Sequence, residues 1–209
     1  MPIISLHKLL NLVNIQPTEY LLNPLINNIS FNSKDVTSGT LFLGLSGSRS
    51  DGGMYWKEAI KNGAEAAIIS NQAAKITGEL DYKKVLVINK KLDYLFGQII
   101  AEFWNRPSRK LKLIGVTGTN GKTTVSFLLE YLSLKFGLRT ALFGTLFNRW
   151  EGYLEKASHT TDFADKLQPK LSTALKAGVE VVIMEVSSHS ISQKRISGCE
   201  FDVAIFTNL

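Results

Sequence analysis

Cysteine is nearly absent from this chain, because Cys199 is the only one among 209 residues and no internal disulfide can form. The cysteine and the three histidines form no cluster with the spacing of a zinc site. The scarcity of cysteine fits a reducing compartment, and we therefore expect a cytoplasmic protein.

Long apolar runs are missing as well. No stretch approaches the ~20 apolar residues of a membrane-spanning helix, which argues against membrane insertion. The N-terminal segment MPIISLHKLLNLVN lacks a basic start and a small-residue cleavage site, so it does not have the pattern of a signal peptide. Its apolar positions predict a first amphipathic helix instead.

Charge is not concentrated at any point of the sequence. The net charge is +6 and the pI is about 9.3, yet no block of five like charges occurs. A basic balance can serve nucleic acids, anionic lipids or anionic small ligands. Because the lysines are scattered, we expect a solvated basic surface and no nucleic acid partner, whereas a polyphosphate would need only a local concentration of positive charge.

The first half of the chain carries the pattern of a small α/β domain. It has apolar runs at residues 39–45, 64–70 and 83–89, of which the first and third are predicted strands. Helical spacing of apolar residues follows in MYWKEAIKNG and again in KLDYLFGQIIAEFW. The segment NRPS, residues 105–108, breaks the second helix and predicts a boundary between domains 1–108 and 109–209.

The second half alternates strands and helices more clearly. Strands are predicted at 111–116, 139–145, 179–187 and 201–209, and helices at 123–136 and 164–177. The first helix is expected to bury one apolar stripe, formed by Val125, Leu128, Leu129, Leu132 and Phe136. This order indicates an α/β fold with a doubly wound parallel sheet, whose ligands gather at the carboxyl ends of the strands.

Two features suggest a piece of a longer protein. A sheet of these strands alone would be small and open-edged, and the sequence stops at FTNL, where a strand should lead into a site loop. We therefore expect further chain beyond this point.

The stretch GVTGTNGKTT, residues 115–124, lies between a predicted strand and a predicted helix. Backbone N–H groups of a glycine-rich turn at a helix N-terminus form a cradle for anions. A lysine there adds a charge for β- and γ-phosphates, and a neighbouring hydroxyl can bind Mg²⁺. Lys122 and Thr123 fit these roles, although the glycine spacing departs from the common phosphate-loop pattern because Val116 stands where a glycine is expected.

GVTGTNGKTT resembles the ATP loop of the Mur ligases and of folylpolyglutamate synthetases. HTTDFADKLQ (159–168) is similar to the threonine-pair segment of Mur ligases, and EVSSHSISQKRISGCEFDVAIFTNL (185–209) resembles their UDP-N-acetylmuramoyl-tripeptide synthetase branch. Residues 31–68 resemble the uridine-nucleotide domain of the same branch. The resemblance covers nearly the whole chain in order, and it implies a small uridine-nucleotide-binding domain followed by part of a phosphate-loop ATPase domain.

The resemblance also implies a reaction. The γ-phosphoryl group of ATP would pass to the terminal carboxylate of a peptide on UDP-N-acetylmuramic acid (UDP-MurNAc), and an incoming amine would displace phosphate to form an amide. Enzymes of this branch add a diamino acid, meso-diaminopimelate or L-lysine, to UDP-MurNAc-L-Ala-D-Glu. Such chemistry needs positioning and charge stabilisation more than a protein nucleophile.

Site residues carry over at the matching positions of this sequence. The ATP phosphates would be bound by Gly118, Thr119, Asn120, Gly121, Lys122, Thr123 and Thr124. Lys122 and Glu185 would be catalytic, with Thr123 and Glu185 as Mg²⁺ ligands; a carboxylate capping the next helix is the alternative for Glu185. The substrate UDP-MurNAc-dipeptide would be bound by Ser33, Ser48, Arg49, Ser50, Thr160, Thr161, Ser187, Gln193 and Arg195.

This sequence departs from the family pattern in three ways. FNSK has Asn32 and Lys34 where the family has aspartate and arginine, so one charge remains without its planar fork. TTDFA lacks the proline that usually follows the threonine pair, which predicts a less rigid segment. The later DHL segment, a carbamylated lysine and the domain that binds the amino acid are not in this sequence, so we expect this polypeptide alone to form no amide bond.

Alternatives remain open. Another ligase of the superfamily, of the MurF or folylpolyglutamate synthetase type, is one, although the uridine-type first domain argues against the folate enzyme. A non-catalytic module that binds nucleotide without making product is another. In either reading we expect a monomer.

Overall fold

The computed structural model describes residues 2–47, 50–89 and 92–209, which form two compact units, residues 1–103 and 104–209. The sequence placed the domain boundary after residue 108. Residues 107–110 belong to the second unit because the N–H of Glu200 donates to Ser108 Oγ at 3.1 Å and Arg109 Nε lies 2.7 Å from Glu200 Oε1. The roles assigned to the two domains stay predictions.

The first unit contains a parallel sheet of four strands. Its elements are β1 (Ile4–Ser5), α1 (Leu6–Leu12), β2 (Leu25–Ile26), β3 (Asn28–Ser30), β4 (Thr40–Leu43), a 3₁₀ helix (Gly52–Tyr55), α2 (Trp56–Lys61), β5 (Ala64–Ser70), α3 (Asn71–Thr77), β6 (Val85–Ile88) and α4 (Leu92–Phe103). The sheet has the order β3-β4-β5-β6, and β1 and β2 form a separate antiparallel pair. The predicted strands at 39–45 and 83–89 and the N-terminal helix are confirmed.

The run at residues 64–70 is also a strand, which the sequence analysis did not predict. Alanine has a low strand propensity, and it makes up three of the first four residues of β5. The strand nevertheless pairs with β4 on one side and β6 on the other, and Ala66 and Ala67 are buried. Pairing on both sides therefore outweighs the local propensity.

The second unit is built around a six-stranded sheet. Its elements are a 3₁₀ helix (Pro107–Lys110), β7 (Lys112–Thr117), α5 (Lys122–Lys135), β8 (Thr140–Phe143), β9 (Phe147–Trp150), β10 (Tyr153–Lys156), α6 (Ala164–Lys176), β11 (Val181–Glu185), α7 (Ser188–Ser192) and β12 (Val203–Phe206). The strand order is β10-β9-β8-β11-β7-β12. The four strands β8, β11, β7 and β12 are parallel, which confirms the predicted α/β class with a parallel sheet.

The antiparallel hairpin of β9 and β10 was not predicted. It pairs Trp150 with Tyr153 across a turn in which Gly152 has φ +76°. The two rings stack with centroids 3.9 Å apart. Its sequence, FNRWEGYLEK, carries alternating polar residues and a glycine turn, which are the signals of a hairpin.

Helix α5 is rotated relative to the predicted stripe. Leu128, Leu132 and Phe136 are exposed, whereas the buried residues of the helix are Ser126 and Glu130. Glu130 turns inward because Arg149 of β9 donates to its two carboxylate oxygens at 2.9 and 2.5 Å. The predicted stripe was therefore wrong in part, because a charged pair from a distant strand decides which face is buried.

Among the described residues, no helix has the length and apolar content that crossing a membrane would require.

Candidate functional site

The glycine loop, residues 118–121, connects the carboxyl end of β7 to the first residue of α5. Gly118 has φ +134° and Gly121 has φ +82°, a region that side chains disfavour. A Cβ atom on Gly118 would lie 2.2 Å from Thr207 Oγ1. Gly115, in contrast, lies inside β7, where a Cβ would meet the ring of Phe201 at 2.9 Å, so this glycine serves packing and not the loop.

The segment after β12 holds the glycine loop by hydrogen bonds from its backbone and from the side chains of Thr207 and Asn208. The N–H of Asn120 donates to Asn208 Oδ1 at 3.0 Å, and the N–H of Thr119 donates to the Asn208 carbonyl at 3.2 Å. Thr207 Oγ1 donates to the Asn120 carbonyl at 2.6 Å. The loop is therefore ordered by its own neighbours in the sheet.

The Lys122 ammonium lies against the same loop. Its Nζ donates to the carbonyl of Gly118 at 2.7 Å and to that of Thr119 at 3.1 Å. These carbonyls hold the positive charge at the helix N-terminus, where the helix dipole already favours anions. The first turn of α5 thus combines a cation, backbone donors and the hydroxyls of Thr123 and Thr124.

Glu185 ends β11 directly beneath this turn and is fully buried. Its Oε2 accepts from the hydroxyls of Thr123 and Thr145, both at 2.9 Å, and its Oε1 accepts from the Thr145 N–H at 3.2 Å. A Cβ atom on Gly144 would come within 2.3 Å of Oε1, so a glycine is needed beside the carboxylate. Three donors therefore offset the cost of burying this charge.

The oxygen atoms of Glu185 and its neighbour Thr123 are suitable ligands for Mg²⁺. The ion prefers oxygen ligands and usually takes one or two carboxylates together with waters and substrate phosphates. Glu185 and the hydroxyl of Thr123 offer such oxygens next to the glycine loop. Among the described residues, no group of three or more histidine, cysteine, aspartate or glutamate side chains is positioned to hold a metal.

The threonine segment, residues 160–162, packs on the end of β11. Thr161 is buried; its Oγ1 donates to the Glu185 carbonyl at 2.8 Å and accepts from the N–H of Ser187 at 3.2 Å. Thr160 is partly exposed, and its Oγ1 lies 3.1 Å from that of Thr145. The two threonines thus have different roles: one is fixed to the strand and the other faces the open side.

Arg195 adds a further contact to this segment. Its Nη1 donates to the Thr161 carbonyl at 2.8 Å, its Nε donates to Gln193 Oε1 at 2.9 Å, and its guanidinium lies 4.0 Å from the ring centre of Phe163. Burial lowers the pKa of Arg195, and the charge of Asp162 opposes that shift. Arg195 stays protonated, as arginine does in proteins.

A cavity of about 720 Å³ opens over the glycine loop. It is lined by residues of the second unit: Thr117, Gly118, Thr119, Asn120, Gly121, Lys122, Thr123, Thr124, Thr145, Thr160, Ser187, Ser188, His189, Ile191, Phe206, Asn208 and Leu209. The structure therefore brings the whole predicted phosphate loop together with Thr160 and Ser187. Thr161 and Glu185 lie buried behind this lining. Gln193 and Arg195 are not part of it, but the Gln193 N–H donates to the carbonyl of the lining residue His189, and Arg195 donates to that of Thr161.

Four of the residues predicted to bind the nucleotide substrate belong to the first unit. Ser33 is buried, and its hydroxyl donates to Glu58 Oε2 at 2.6 Å while its carbonyl accepts from Asn62. Ser50 is exposed, and its carbonyl accepts from the N–H of Gly47 at 2.9 Å. Ser48 and Arg49 lie outside the described residues. The nucleotide-binding roles of these four residues stay predictions.

Sequence reasoning missed Thr145 and gave Asn208 no role. Thr145 follows the carboxyl end of β8, beside Gly144, at the sheet edge where ligands are expected. The Gly-Thr pair after a buried strand was the available signal. Asn208 stands at the corresponding point after β12, and its contribution depends on a contact with Asn120 that no local pattern indicates.

Two family descriptions match the chain. Residues 25–104 match "Mur ligase family, catalytic domain", and residues 116–209 match "Mur ligase middle domain". Together the two ranges cover most of the sequence, and the first range ends within one residue of the boundary between the two structural units, which lies between residues 103 and 104.

Relatives and solved structures agree with these matches. A UDP-N-acetylmuramoyl-L-alanyl-D-glutamate–2,6-diaminopimelate ligase of Prochlorococcus marinus subsp. pastoris is 67% identical over 99% of this chain and 40% of its own length. A ligase of the same name from Synechococcus elongatus is 46% identical over 93% of this chain and 39% of its own length. This chain thus spans about 40% of the length of these relatives.

A solved structure of a ligase with the same name has a TM-score of 0.80 and 27% identity, and it covers 100% of this chain and 41% of its own. A MurF ligase of Thermotoga maritima in complex with ADP has a TM-score of 0.55 and 19% identity over 87% of this chain and 37% of its own, which shows a shared fold alone.

Proposed function

This chain belongs to the Mur ligase family, and we propose that it supplies the nucleotide-binding portion of a ligase that adds 2,6-diaminopimelate to UDP-MurNAc-L-Ala-D-Glu. The observation that carries the proposal is the contact between Thr123, in the first turn after the glycine loop, and the fully buried carboxylate of Glu185. The relatives are named as diaminopimelate ligases, which favours diaminopimelate over L-lysine as the added amino acid. The product would serve peptidoglycan synthesis.

The proposed reaction has two steps. A carboxylate oxygen of the peptide attacks the γ-phosphorus of ATP, the bond to the β-phosphate oxygen breaks, and ADP leaves. The amine of the incoming amino acid then attacks the acyl phosphate, loses a proton, and expels inorganic phosphate as the amide forms. Both steps place negative charge on phosphoryl oxygens, so the protein contributes chiefly by position and electrostatics.

Lys122 is the group proposed to meet that charge. Its ammonium donates to two loop carbonyls, those of Gly118 and Thr119, at the edge of the cavity. Binding of a triphosphate would exchange these neutral acceptors for phosphate oxygens, which form stronger charge-assisted hydrogen bonds. Gly118, Gly121 and Thr124 would supply surrounding donors, and the N–H groups of Thr119 and Asn120 would join them by exchanging Asn208 for phosphate oxygens.

Mg²⁺ would be held by Glu185 and Thr123 and would supply charge neutralisation at the phosphates. The buried carboxylate is already oriented by Thr145, so the oxygens need little rearrangement to accept a cation in place of a hydroxyl proton.

For the nucleotide-linked peptide, each unit offers predicted residues of its own. In the second unit, Thr160, Thr161, Ser187, Gln193 and Arg195 offer hydroxyls, an amide and a guanidinium for the peptide end. In the first unit, Ser33, Ser48, Arg49 and Ser50 are proposed for the uridine and diphosphate. A cytoplasmic location and a monomeric state remain predictions from the sequence.

Calorimetric titration of this chain with ATP and Mg²⁺ tests the proposal. We expect saturable binding, and we expect Lys122→Ala to weaken it by about 10- to 100-fold, since a hydrogen bond to a charged group contributes about 1.5–3 kcal/mol. Lys176→Ala, which removes an exposed lysine from the last turn of α6, is the matched control and should bind as the unaltered chain does. Equal affinity of the Lys122→Ala and Lys176→Ala variants for ATP would refute the assignment.

A further inference from the structure

A three-member charge network lies behind the threonine segment. Lys170 of α6 places its Nζ 2.7 Å from Asp162 Oδ2 and 2.5 Å from Glu155 Oε2 of β10. The side chains of Asp162 and Lys170 are 7% and 16% exposed, whereas that of Glu155 is 44% exposed. The network thus joins a helix, the hairpin edge of the sheet and the residue that follows the threonine pair.

Lys170 is the closest polar partner that the structure gives to Asp162. Asn148 Nδ2 lies 3.4 Å from Asp162 Oδ2, and Ser158 Oγ lies 3.5 Å from Oδ1, both near the limit of a hydrogen bond. Removing the ammonium would leave a buried carboxylate with two long contacts, which is strongly unfavourable. The carboxylate would then move toward water and take the backbone at residue 162 with it.

The ionised forms of the network support one another. Burial lowers the pKa of Lys170, but the hydrogen bonds to Asp162 and Glu155 outweigh it and raise the pKa overall. The hydrogen bond from Lys170 lowers the pKa of Glu155 against the effect of burial. Both shifts favour the ionised forms of Lys170 and Glu155 at neutral pH.

A shift at Asp162 would reach the cavity through one peptide bond. Thr161 is tied to the Glu185 carbonyl, the Ser187 N–H and Arg195, and Thr160 lines the cavity beside Thr145. The orientation of both hydroxyls therefore depends on where the backbone of residue 162 is held. Asp162 also stands at the position for which the family pattern predicts a rigid proline.

We propose that Lys170 is a positioning residue, which through Asp162 holds Thr160 and Thr161 in the orientation that binds the peptide part of the nucleotide substrate. The identity of that ligand rests on the proposed function, whereas the positioning rests on the contacts alone. The ion pair restrains the backbone at residue 162, as a proline ring at that position would do by its fixed φ angle.

Amide hydrogen exchange on the whole chain tests the positioning without any ligand. The Ser187 N–H donates to Thr161 Oγ1, so it reports the threonine segment, and the Thr119 N–H, bonded to Asn208, reports the glycine loop. In Lys170→Met we expect exchange at Ser187 to rise by about tenfold or more while exchange at Thr119 stays within about twofold of the original. Lys176→Met, on the same helix, should change neither.

Two further variants separate positioning from general stability. Lys170→Arg keeps the charge and should keep Ser187 protected. In the double variant Lys170→Met with Asp162→Asn no buried charge remains unpaired, so protection at Ser187 should return to within about threefold, as a coupled pair requires. If Ser187 is unaffected in Lys170→Met, or if Thr119 accelerates equally and the double variant restores nothing, the inference is wrong.

The same variants are titrated with UDP-MurNAc-L-Ala-D-Glu and, separately, with ATP and Mg²⁺. We expect Lys170→Met to weaken binding of the nucleotide-peptide by about tenfold and binding of ATP by less than about twofold, with recovery in the double variant. A chain that shows the exchange pattern but binds no nucleotide-peptide would contradict the proposed function and leave the positioning role supported. Equal loss for both ligands would overturn the positioning role.

Discussion

Two walls of the cavity, the glycine loop (residues 118–121) and the threonine segment (residues 160–162), are held in place by different interactions. The glycine loop depends on positive φ angles at two glycines and on close hydrogen bonds with Thr207 and Asn208, made by their backbone and by their neutral side chains. The threonine segment depends on charged side chains, namely the Arg195 contact on one side and the Lys170–Asp162 pair on the other. Lys122, the residue that follows the loop, adds a positive charge beside it.

This difference predicts different ways to fail. Adding an atom where none fits should disturb the glycine loop, whereas removing a charged partner should disturb the threonine segment. The loop should therefore respond to a single methyl group, and the threonine segment should respond to loss of charge with little change in ATP binding.

Gly118→Ala should have the largest effect. The added Cβ would lie 2.2 Å from Thr207 Oγ1 and 2.8 Å from the Asn208 carbonyl, at a φ angle that alanine disfavours. We expect ATP affinity, measured by calorimetry, to fall by about 100-fold or more, since loss of several loop donors exceeds the contribution of one hydrogen bond.

Gly137→Ala is the matched control for that prediction. It also carries a positive φ angle, +77°, but a Cβ there would meet nothing within 4 Å. It should lower stability through backbone strain, by about 1–2 kcal/mol, and leave ATP affinity intact. If the two variants bind ATP equally well, close packing of the loop on Thr207 and Asn208 is not what orders it.

Arg195→Ala should have an intermediate effect, restricted to the other wall. It removes the donor to the Thr161 carbonyl and the stacking on Phe163. We expect affinity for UDP-MurNAc-L-Ala-D-Glu to fall by about tenfold, the size of one charged hydrogen bond, with ATP affinity nearly unchanged. Arg195→Lys should recover only part of the lost affinity, because lysine lacks the planar guanidinium of arginine. A larger loss for ATP than for the nucleotide-peptide would contradict the division between the walls.

Lowering the pH should have the smallest effect on the threonine segment, and it should act through protonation of Glu155. The hydrogen bond from Lys170 lowers its pKa in the folded chain, so its contribution is complete above the ordinary value of 4.5 and is lost as the pH falls through the lowered value. Lys170, Asp162 and Tyr153 are the titratable neighbours that face it. Protection of the Ser187 amide, corrected for intrinsic exchange, should fall a few-fold from pH 7 to pH 4. Glu155→Gln should show no such change over this range.

Of the two walls, the sequence revealed the glycine loop. A glycine loop between a strand and a helix is a local pattern, and so is a carboxylate at the end of an apolar strand such as Glu185. Both lie where the sequence predicted, and so does the parallel core of the second unit.

What the sequence did not reveal depends on pairings between distant residues. The burial of Glu130 on α5 requires Arg149, and the alanine-rich β5 is a strand because it pairs on both sides. The contact between Asp162 and Lys170 spans only eight residues, yet no motif or spacing indicated it; the lower rigidity expected for the threonine segment stays a prediction. Propensities and spacing carry no information on such contacts.

The most direct measurement is a map of backbone amide shifts in this chain on addition of ATP and Mg²⁺. We expect shifts concentrated at Gly118, Gly121, Lys122, Thr123 and Thr145, with smaller shifts at Ser187. In the Lys122→Ala variant all of these shifts should be much weaker. Shifts confined to residues away from the cavity, with the glycine loop unmoved at saturating ATP, would contradict the assignment of this loop as an ATP site.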